Sequence, residues 1–312
     1  DRRQRQMCIR DSKYIAEINE NEETDIDDVD NRMFGNIFHS AAQLMYEKLL
    51  PKEVITDKNI DYVLKTGKSA QPFTADGIKS TMDDVVDEAF ATELFHQQPG
   101  SRRHPRLNGL QLINREVIKK YLYQLLRIDR RTAPLRVIGH EFNVKRTLLI
   151  NVNGTEKQIE TGGRIDRLDE VFVGTEKARL RVVDYKTGSK TAEPLKNVEA
   201  VFDPKNIEKK SDYTMQAMLY SLIESRYDIL HNPGHRPVSP ALLFIQHSGG
   251  EDYTPVIIMD GKEMTDVTLY EKDFLRKLTE TLEEIHNPDV PFAPTDDLER
   301  CKYCPYRQMC GR

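Results

Sequence analysis

An aspartate and a lysine stand at the end of an apolar run in the segment LRVVDYKTGSK, residues 180–190. Alternate side chains of a β-strand point to the same face, so Asp184 and Lys186 would lie side by side. A second carboxylate, Asp166, lies in the segment GGRIDRLDE, residues 162–170, which also has the pattern of a strand. If the two strands pair, the two carboxylates come close and repel each other unless a cation lies between them.

Mg²⁺ or Mn²⁺ would satisfy such a pair, because both are hard cations that prefer oxygen ligands. The backbone carbonyl of Tyr185 offers a further oxygen between the two candidate side chains. A metal ion lowers the pKa of a bound water, and a neighbouring ammonium stabilises negative charge as it develops. The pattern is therefore compatible with hydrolysis of a phosphodiester carried by Asp166, Asp184 and Lys186, the alternative being a surface Asp–Lys pair at the end of a strand.

Three other polar side chains fall where a site would need them. His39 lies beside the apolar stripe of the first amphipathic helix, where it is either a neutral imidazole ligand or an ordinary half-buried histidine. Gln216 and Tyr220 are four residues apart in QAMLYS, so a helix places them on one face. That face is either part of the site or a half-buried polar surface.

The chain has four cysteines, three of them in the run CKYCPYRQMC with C-x2-C-x5-C spacing. Disulfides are not expected in a long, charged chain without an export signal. The C-x-x-C spacing suits thiolates that converge on one metal centre, and four thiolates suit either Zn²⁺ or an iron–sulfur cluster. The candidate ligands are Cys8, Cys301, Cys304 and Cys310, the alternative being four unrelated free thiols.

The overall charge gives little support to a non-specific polyanion binder. The 312 residues have a formal net charge of −5 and a pI of about 6.0, without the basic excess typical of that class. A local basic face is still compatible with this balance. Arg102, Arg103 and Arg106 precede the third predicted helix and are candidates for DNA contacts, the alternative being scattered solvated charge.

No run approaches the roughly 18 apolar residues that span a bilayer, and no signal-peptide pattern opens the chain. We therefore predict a cytoplasmic protein without a membrane partner.

Hydrophobic periodicity predicts the elements that must position these residues. The order is helices first, then strands, then helix and strand again, which indicates an α/β fold with a central mixed sheet flanked by helices. The first helix begins near Phe34 and ends at Pro51. Further helices are predicted at 77–98, 108–131, 212–227 and 265–286, and strands at 135–152, 157–173, 179–186 and 240–246.

The candidate site residues and the four cysteines, taken together, resemble the RecB-type nuclease domain of the PD-(D/E)XK superfamily, in its cysteine-cluster branch. That branch includes the nuclease domain of AddB and the RecB-like CRISPR-associated nucleases. Its motifs follow a fixed order, G-x-x-x-H, G-x-x-D, D-x-K and Q-x-x-x-Y, with one cysteine before them and three after the last helix. The resemblance extends from Cys8 to Cys310, and the motif residues are Gly35 and His39, Gly163 and Asp166, Asp184 and Lys186, and Gln216 and Tyr220.

The resemblance implies a role for each motif residue. The side chains of His39, Asp166 and Asp184 would be ligands of Mg²⁺ or Mn²⁺, together with the carbonyl of Tyr185. Lys186 would orient or activate the attacking water. Gln216 and Tyr220 would position that lysine or the DNA backbone, and the four cysteines would hold a 4Fe–4S cluster, with Zn²⁺ as the alternative.

The resemblance also implies the organisation of the chain. Residues 1–312 would form a single nuclease domain with a restriction-endonuclease-like core. Its parts would be a mainly helical region at 33–131, the catalytic α/β core at 136–247, and a C-terminal helix with the cysteine cluster at 265–312. Because the sequence starts at Asp1 rather than Met, we expect a fragment of a longer protein.

The implied activity is a metal-dependent DNA nuclease, an exonuclease rather than an endonuclease. It would process single strands or duplex ends in DNA repair or recombination, with a helicase subunit or a helicase domain of the same longer chain as partner. One alternative is a non-catalytic DNA-end-binding or docking module with a nuclease-like fold. Another is a zinc-stabilised metalloenzyme that acts on a small phosphoester.

Overall fold

Helices precede the sheet in the described part of the chain. The computed structural model describes residues 29–71, 79–98, 106–172, 178–226, 231–250, 252–291, 298–302, 304 and 307. The helices before the sheet are α1 (Asn31–Leu49), α2 (Asp57–Thr66), α3 (Met82–Glu93) and α4 (Gly109–Thr132).

Side-chain caps set where these helices begin. Asp30 caps α1, and α2, α3 and α4 each start with a capping box, in which the cap and the third helical residue satisfy each other's backbone N–H groups. The predicted helix at 77–98 is therefore shorter, because Thr81 and Asp84 form the box that starts α3 at Met82. Residues 77 and 78 lie outside the described residues. α2 has no counterpart among the predicted helices.

A four-stranded mixed sheet follows within the described residues, which confirms the predicted fold class. The strands lie in the order β1-β2-β3-β4. β1 pairs with β2 and β2 with β3 in antiparallel fashion, whereas β3 and β4 are parallel. Their bounds are β1 Leu135–Val152, β2 Thr155–Val171, β3 Arg179–Lys186 and β4 Val238–Phe244.

The parallel pair requires a crossover, because a tight hairpin joins only antiparallel strands. The crossover contains α5 (Val198–Phe202), a 3₁₀ turn (Pro204–Lys209) and α6 (Ser211–Ser225). None of the helices within the described ranges has the length and apolar character to cross a membrane. After β4 come β5 (Ile258–Met259), β6 (Lys262–Glu263), α7 (Glu271–His286), which starts later than the predicted residue 265, and α8 (Leu298–Cys301).

The sheet separates two hydrophobic cores. Val183 and Tyr185 of β3 pack in the core that also contains the buried residues of α1 and α4. Val182, the neighbour of Val183 on the strand, packs in the other core with the buried face of α6. Because side chains alternate along β3, Asp184 and Lys186 lie on the α6 side of the sheet, where the strand ends.

Four fully buried charged residues connect the α4 helix to the sheet. Asp129 of α4, Arg167 and Asp169 of β2, and Arg181 of β3 are each at most 1% exposed. Both terminal nitrogens of Arg167 donate to the carboxylate of Asp129, at 2.8 and 3.0 Å. Nε and Nη2 of Arg181 donate to Asp169 at 3.0 and 2.8 Å. We call these four residues the buried charge cluster, in which two positive and two negative charges balance each other.

Candidate metal centre and active site

A β-bulge in β1 brings Glu141 beside Asp166. The register shifts by one residue between Val137 and Gly139. Beyond the shift, the residues on either side of Glu141 pair with those on either side of Asp166, so the two acidic residues lie opposite each other. Glu141 has a φ of 51°, in the left-handed region that a non-glycine residue seldom adopts. Such a strained residue is typical of a functional site.

His39, Glu141 and Asp166 form a group that could hold a metal ion. One potential ligand atom from each residue lies within 4.8 Å of the other two. Nδ1 of His39 lies 3.2 Å from Oε1 of Glu141 and 3.5 Å from Oδ1 of Asp166. His39 comes from α1, so the group joins the helical region to the β1–β2 hairpin.

The end of β3 lies directly beside this group. The last ladder pair of β2 and β3 is Arg167 with Val183, and Asp166 and Asp184 are the next residues along each strand. The backbone N–H of Tyr185 donates to Oδ2 of Asp166 at 2.6 Å. Oδ1 of Asp166 thus faces His39 while Oδ2 is held by β3.

Asp184 and Lys186 lie together on the α6 side, as their spacing predicts. Nζ of Lys186 is 2.6 Å from Oδ2 of Asp184. The same ammonium nitrogen lies 4.4 Å from the centre of the Tyr213 ring, at the start of α6. The lysine is therefore held between a carboxylate and an aromatic face, both of which favour its charged form.

Burial and crowding shift the ionisation of the site. Burial, reinforced by the charge of Asp184, raises the pKa of Asp166 to about 7. Burial also raises the pKa of Asp184, although Lys186 opposes the shift. Burial lowers the pKa of His39, but Glu141 and Asp166 outweigh it, so this pKa lies above the ordinary value. Burial likewise lowers the pKa of Lys186, and Asp184 outweighs it. The positive charge near Asp166 and Asp184 is thus too small to offset the effect of burial on their pKa values.

Gln216 and Tyr220 lie on α6, and Nε2 of Gln216 donates to the Tyr220 hydroxyl at 3.3 Å. That hydroxyl lies against Gly163 of β2, where a Cβ atom would be only 1.9 Å from the Tyr220 oxygen. The close approach explains why the G-x-x-D segment needs glycine at its first position. Two predicted motifs are therefore in direct contact.

The remaining predicted residues are described only in part. Arg106 is exposed, whereas Arg102 and Arg103 lie outside the described residues. Cys301, the last residue of α8, and Cys304 are half-buried free thiols, and the N–H of Cys304 donates to the carbonyl of Cys301 at 3.0 Å. The other two predicted cluster ligands, Cys8 and Cys310, also lie outside the described residues.

Two residues of the site, Glu141 and Tyr213, are not among those predicted from the sequence. A glutamate inside the strand segment GHEFNV was the available signal for the first, because acidic residues are depleted in strands. Tyr213 lies three residues before Gln216, close to one helical turn, and so shares its side of α6.

The donor set fits a divalent cation. Carboxylate oxygens and an imidazole are ligands of Mg²⁺ and Mn²⁺, and the buried carboxylates have raised pKa values that a cation would reverse.

Comparison with known proteins agrees with this geometry. No curated protein matches the chain. A family model described as the PD-(D/E)XK nuclease superfamily matches residues 12–311, which is nearly the whole sequence. The chain therefore belongs to the PD-(D/E)XK nuclease superfamily.

Proposed function

We propose that the protein is a RecB-type DNA nuclease that hydrolyses phosphodiester bonds from DNA ends, as an exonuclease in repair or recombination. Membership in the superfamily implies a metal-dependent nuclease. The observation that carries the proposal is the His39, Glu141 and Asp166 group, with Asp184 and Lys186 at the adjoining end of β3.

In this proposal the metal ligands are the side chains of His39, Asp166 and Asp184 and the carbonyl of Tyr185. A bound Mg²⁺ or Mn²⁺ would supply Lewis-acid polarisation of the phosphate and a lowered pKa for an attacking water. Glu141 lies within reach of the same centre and holds His39 through the 3.2 Å contact at Nδ1. That contact fixes the orientation of the imidazole ring.

Lys186 acts as a fixed positive charge rather than as a base. The raised pKa keeps the side chain protonated at neutral pH, because Asp184 lies 2.6 Å away. An ammonium in this position stabilises negative charge on the phosphate and orients the water. Gln216 and Tyr220 pack beside β2 and support the strand that carries Asp166.

Cleavage of end-labelled DNA tests the proposal. Single-stranded and duplex substrates are incubated with protein prepared without oxygen, in Mg²⁺, Mn²⁺ or EDTA. We expect metal-dependent degradation that starts at ends and is lost in Asp184→Ala. DNA binding without cleavage under every metal would favour the docking module, and cleavage of only a small phosphoester would favour the alternative metalloenzyme.

We further propose that residues 1–312 act as one nuclease domain and that a helicase works with it in the cytoplasm.

We also propose that Cys8, Cys301, Cys304 and Cys310 hold a 4Fe–4S cluster. The half-buried thiols of Cys301 and Cys304, on one turn, support the thiolate site. Iron and sulfide analysis of anaerobically prepared protein tests it. Four irons per chain, lost in Cys304→Ser, are expected, whereas stoichiometric zinc without iron would contradict the cluster.

A further inference from the structure

A second lysine lies beside the candidate active site, on the same aromatic ring as Lys186. Nζ of Lys210 is 5.2 Å from the centre of the Tyr213 ring, and Nζ of Lys186 is 4.4 Å from it. These two distances keep the ammonium groups within about 10 Å of each other, while one DNA strand carries a phosphate every 3.4 Å or so along the axis. Both lysines can therefore contact the same strand.

The backbone at Lys210 favours a different residue. Its φ is 58°, a left-handed conformation that asparagine or glycine adopts more readily. Lys210 is also the cap of α6, a position where serine, threonine, aspartate or asparagine would satisfy a backbone N–H, and no side chain caps this helix. A lysine improves neither the backbone conformation nor the cap.

The chain nevertheless holds this residue firmly in place. The N–H of Lys210 donates to the carbonyl of Ile207 at 3.0 Å, and its carbonyl accepts from the N–H of Tyr213 at 3.0 Å. The side chain therefore leaves the backbone at a fixed point, half-buried against the ring.

Lys210 also lacks a carboxylate partner among the described residues, unlike Lys48, Lys119 and Lys145, which form ion pairs. Within the described part of the crossover, the other lysines form no ion pair with a carboxylate either. Of these lysines, Lys210 is the one that the Tyr213 ring places beside Lys186 and the carboxylates of the centre. The crossover lysines concerned are Lys190, Lys196, Lys205 and Lys209.

We propose that Lys210 binds the backbone of the substrate DNA strand, at a phosphate near the one that is cleaved. The inference rests on the proposed nuclease function and assigns a substrate contact to the same site. Lys186 is paired with Asp184, whereas Lys210, on the same Tyr213 ring, remains available to the strand.

Binding of a labelled single-stranded oligonucleotide in EDTA, followed by fluorescence anisotropy at several salt concentrations, tests this role without cleavage. Lys210→Asn removes the charge and keeps a residue that suits the left-handed backbone. Lys157→Asn is the control with the same charge change, because Lys157 lies about 30 Å along β2 from Asp166.

We expect Lys210→Asn to weaken binding about 3- to 10-fold at low salt and to reduce the salt-dependence slope by about 0.7, the share of one phosphate contact. Lys157→Asn should match the wild type, and Lys210→Arg should restore binding. With active enzyme, the KM of Lys210→Asn should rise while kcat stays close to that of the wild type.

The outcomes separate this inference from the proposed function. Equal binding by wild type, Lys210→Asn and Lys157→Asn would overturn the role of Lys210 even if the protein cleaves DNA. Binding that depends on Lys210, in a protein that cleaves no DNA with any metal, would support the contact and contradict the nuclease.

Discussion

The buried charge cluster and the candidate metal centre use neighbouring residues of the same two strands. β2 contributes Asp166 to the centre and Arg167 and Asp169 to the cluster, and β3 contributes Asp184 to the centre and Arg181 to the cluster. Strand alternation sends the strand residues of the two sets to opposite faces of the sheet. Both sets take carboxylates out of water, yet their ionisation differs.

The difference comes from the counter-charges that the protein supplies. Burial raises the pKa of Asp129, but Arg167 and Arg181 outweigh it, so this pKa lies below the ordinary value. Asp166 has a second carboxylate beside it instead of a guanidinium, and its pKa rises to about 7. A buried set that carries its own counter-charges is structural, whereas a buried set short of positive charge is suited to bind a cation.

The largest expected effect is on stability, from removing a guanidinium of the cluster. Arg167→Met leaves Asp129 and Asp169 with Arg181 alone, and we expect a loss of about 3–5 kcal/mol in the free energy of unfolding. Urea unfolding followed by circular dichroism measures it. Arg130→Met is the control, because Arg130 forms an exposed pair with Asp61 and should matter far less. Equal losses in the two variants would contradict the contrast.

The next effect is on activity, from neutralising a carboxylate of the centre. Asp184→Asn should reduce kcat about 100- to 1000-fold or more, because a charged group of the centre is lost. Its unfolding free energy should fall less than that of Arg167→Met, because burial already disfavours the charge of Asp184, although Lys186 loses its ion-pair partner. Steady-state cleavage and urea unfolding on the same preparation provide both values. An unfolded or strongly destabilised variant would place Asp184 with the structural cluster.

The stability of the metal-free protein should depend on pH through Asp166. Its pKa rises from 3.8 to about 7 on folding, so between these values the folded state binds more protons than the unfolded state. Asp166 therefore favours folding below pH 4 or so, and that contribution is lost as the pH rises through about 7.

The difference in unfolding free energy between wild type and Asp166→Asn isolates this contribution. We expect the wild type to lose a few kcal/mol relative to the variant across that range in EDTA. Saturating Mn²⁺ should restore much of the loss only in the wild type. If the difference in unfolding free energy between the two proteins stays constant with pH, folding does not raise the pKa of Asp166.

The smallest of the four effects concerns the contact between two motifs. A Cβ at position 163 would lie 1.9 Å from the Tyr220 hydroxyl, so Gly163→Ala should cost about 1–3 kcal/mol of stability. Adding Tyr220→Ala should remove most of that cost. A double-mutant cycle in urea unfolding measures the coupling, and additive losses would show that the contact is not the cause.

The sequence predicted the elements and the motif residues that follow local rules. Strand alternation placed Asp184 beside Lys186, and helical spacing placed Gln216 beside Tyr220. α2 was missed although Ile60 and Val63 are spaced three residues apart on its buried face and Thr56 and Gly67 cap its two ends.

The parts that sequence reasoning missed depend on long-range geometry. Glu141 joins the site through a register shift and a left-handed φ, and neither has a signature in residue types. Asp129 and Arg167 are 38 residues apart and resemble surface charges in sequence, although both are buried in the structure. Only the packing of α4 on the sheet shows that they are partners.

Direct binding of Mn²⁺ tests the central claim, that the carboxylates of Asp166 and Asp184 belong to a divalent metal centre. Titration followed by the electron paramagnetic resonance signal of free Mn²⁺ is applied to wild type, Asp166→Asn and Asp184→Asn, with Asp61→Asn as the surface control. We predict binding by wild type and Asp61→Asn, and affinity at least tenfold or so lower in the other two variants. Wild-type protein that binds no Mn²⁺, or affinity that neither aspartate alters, would contradict the account.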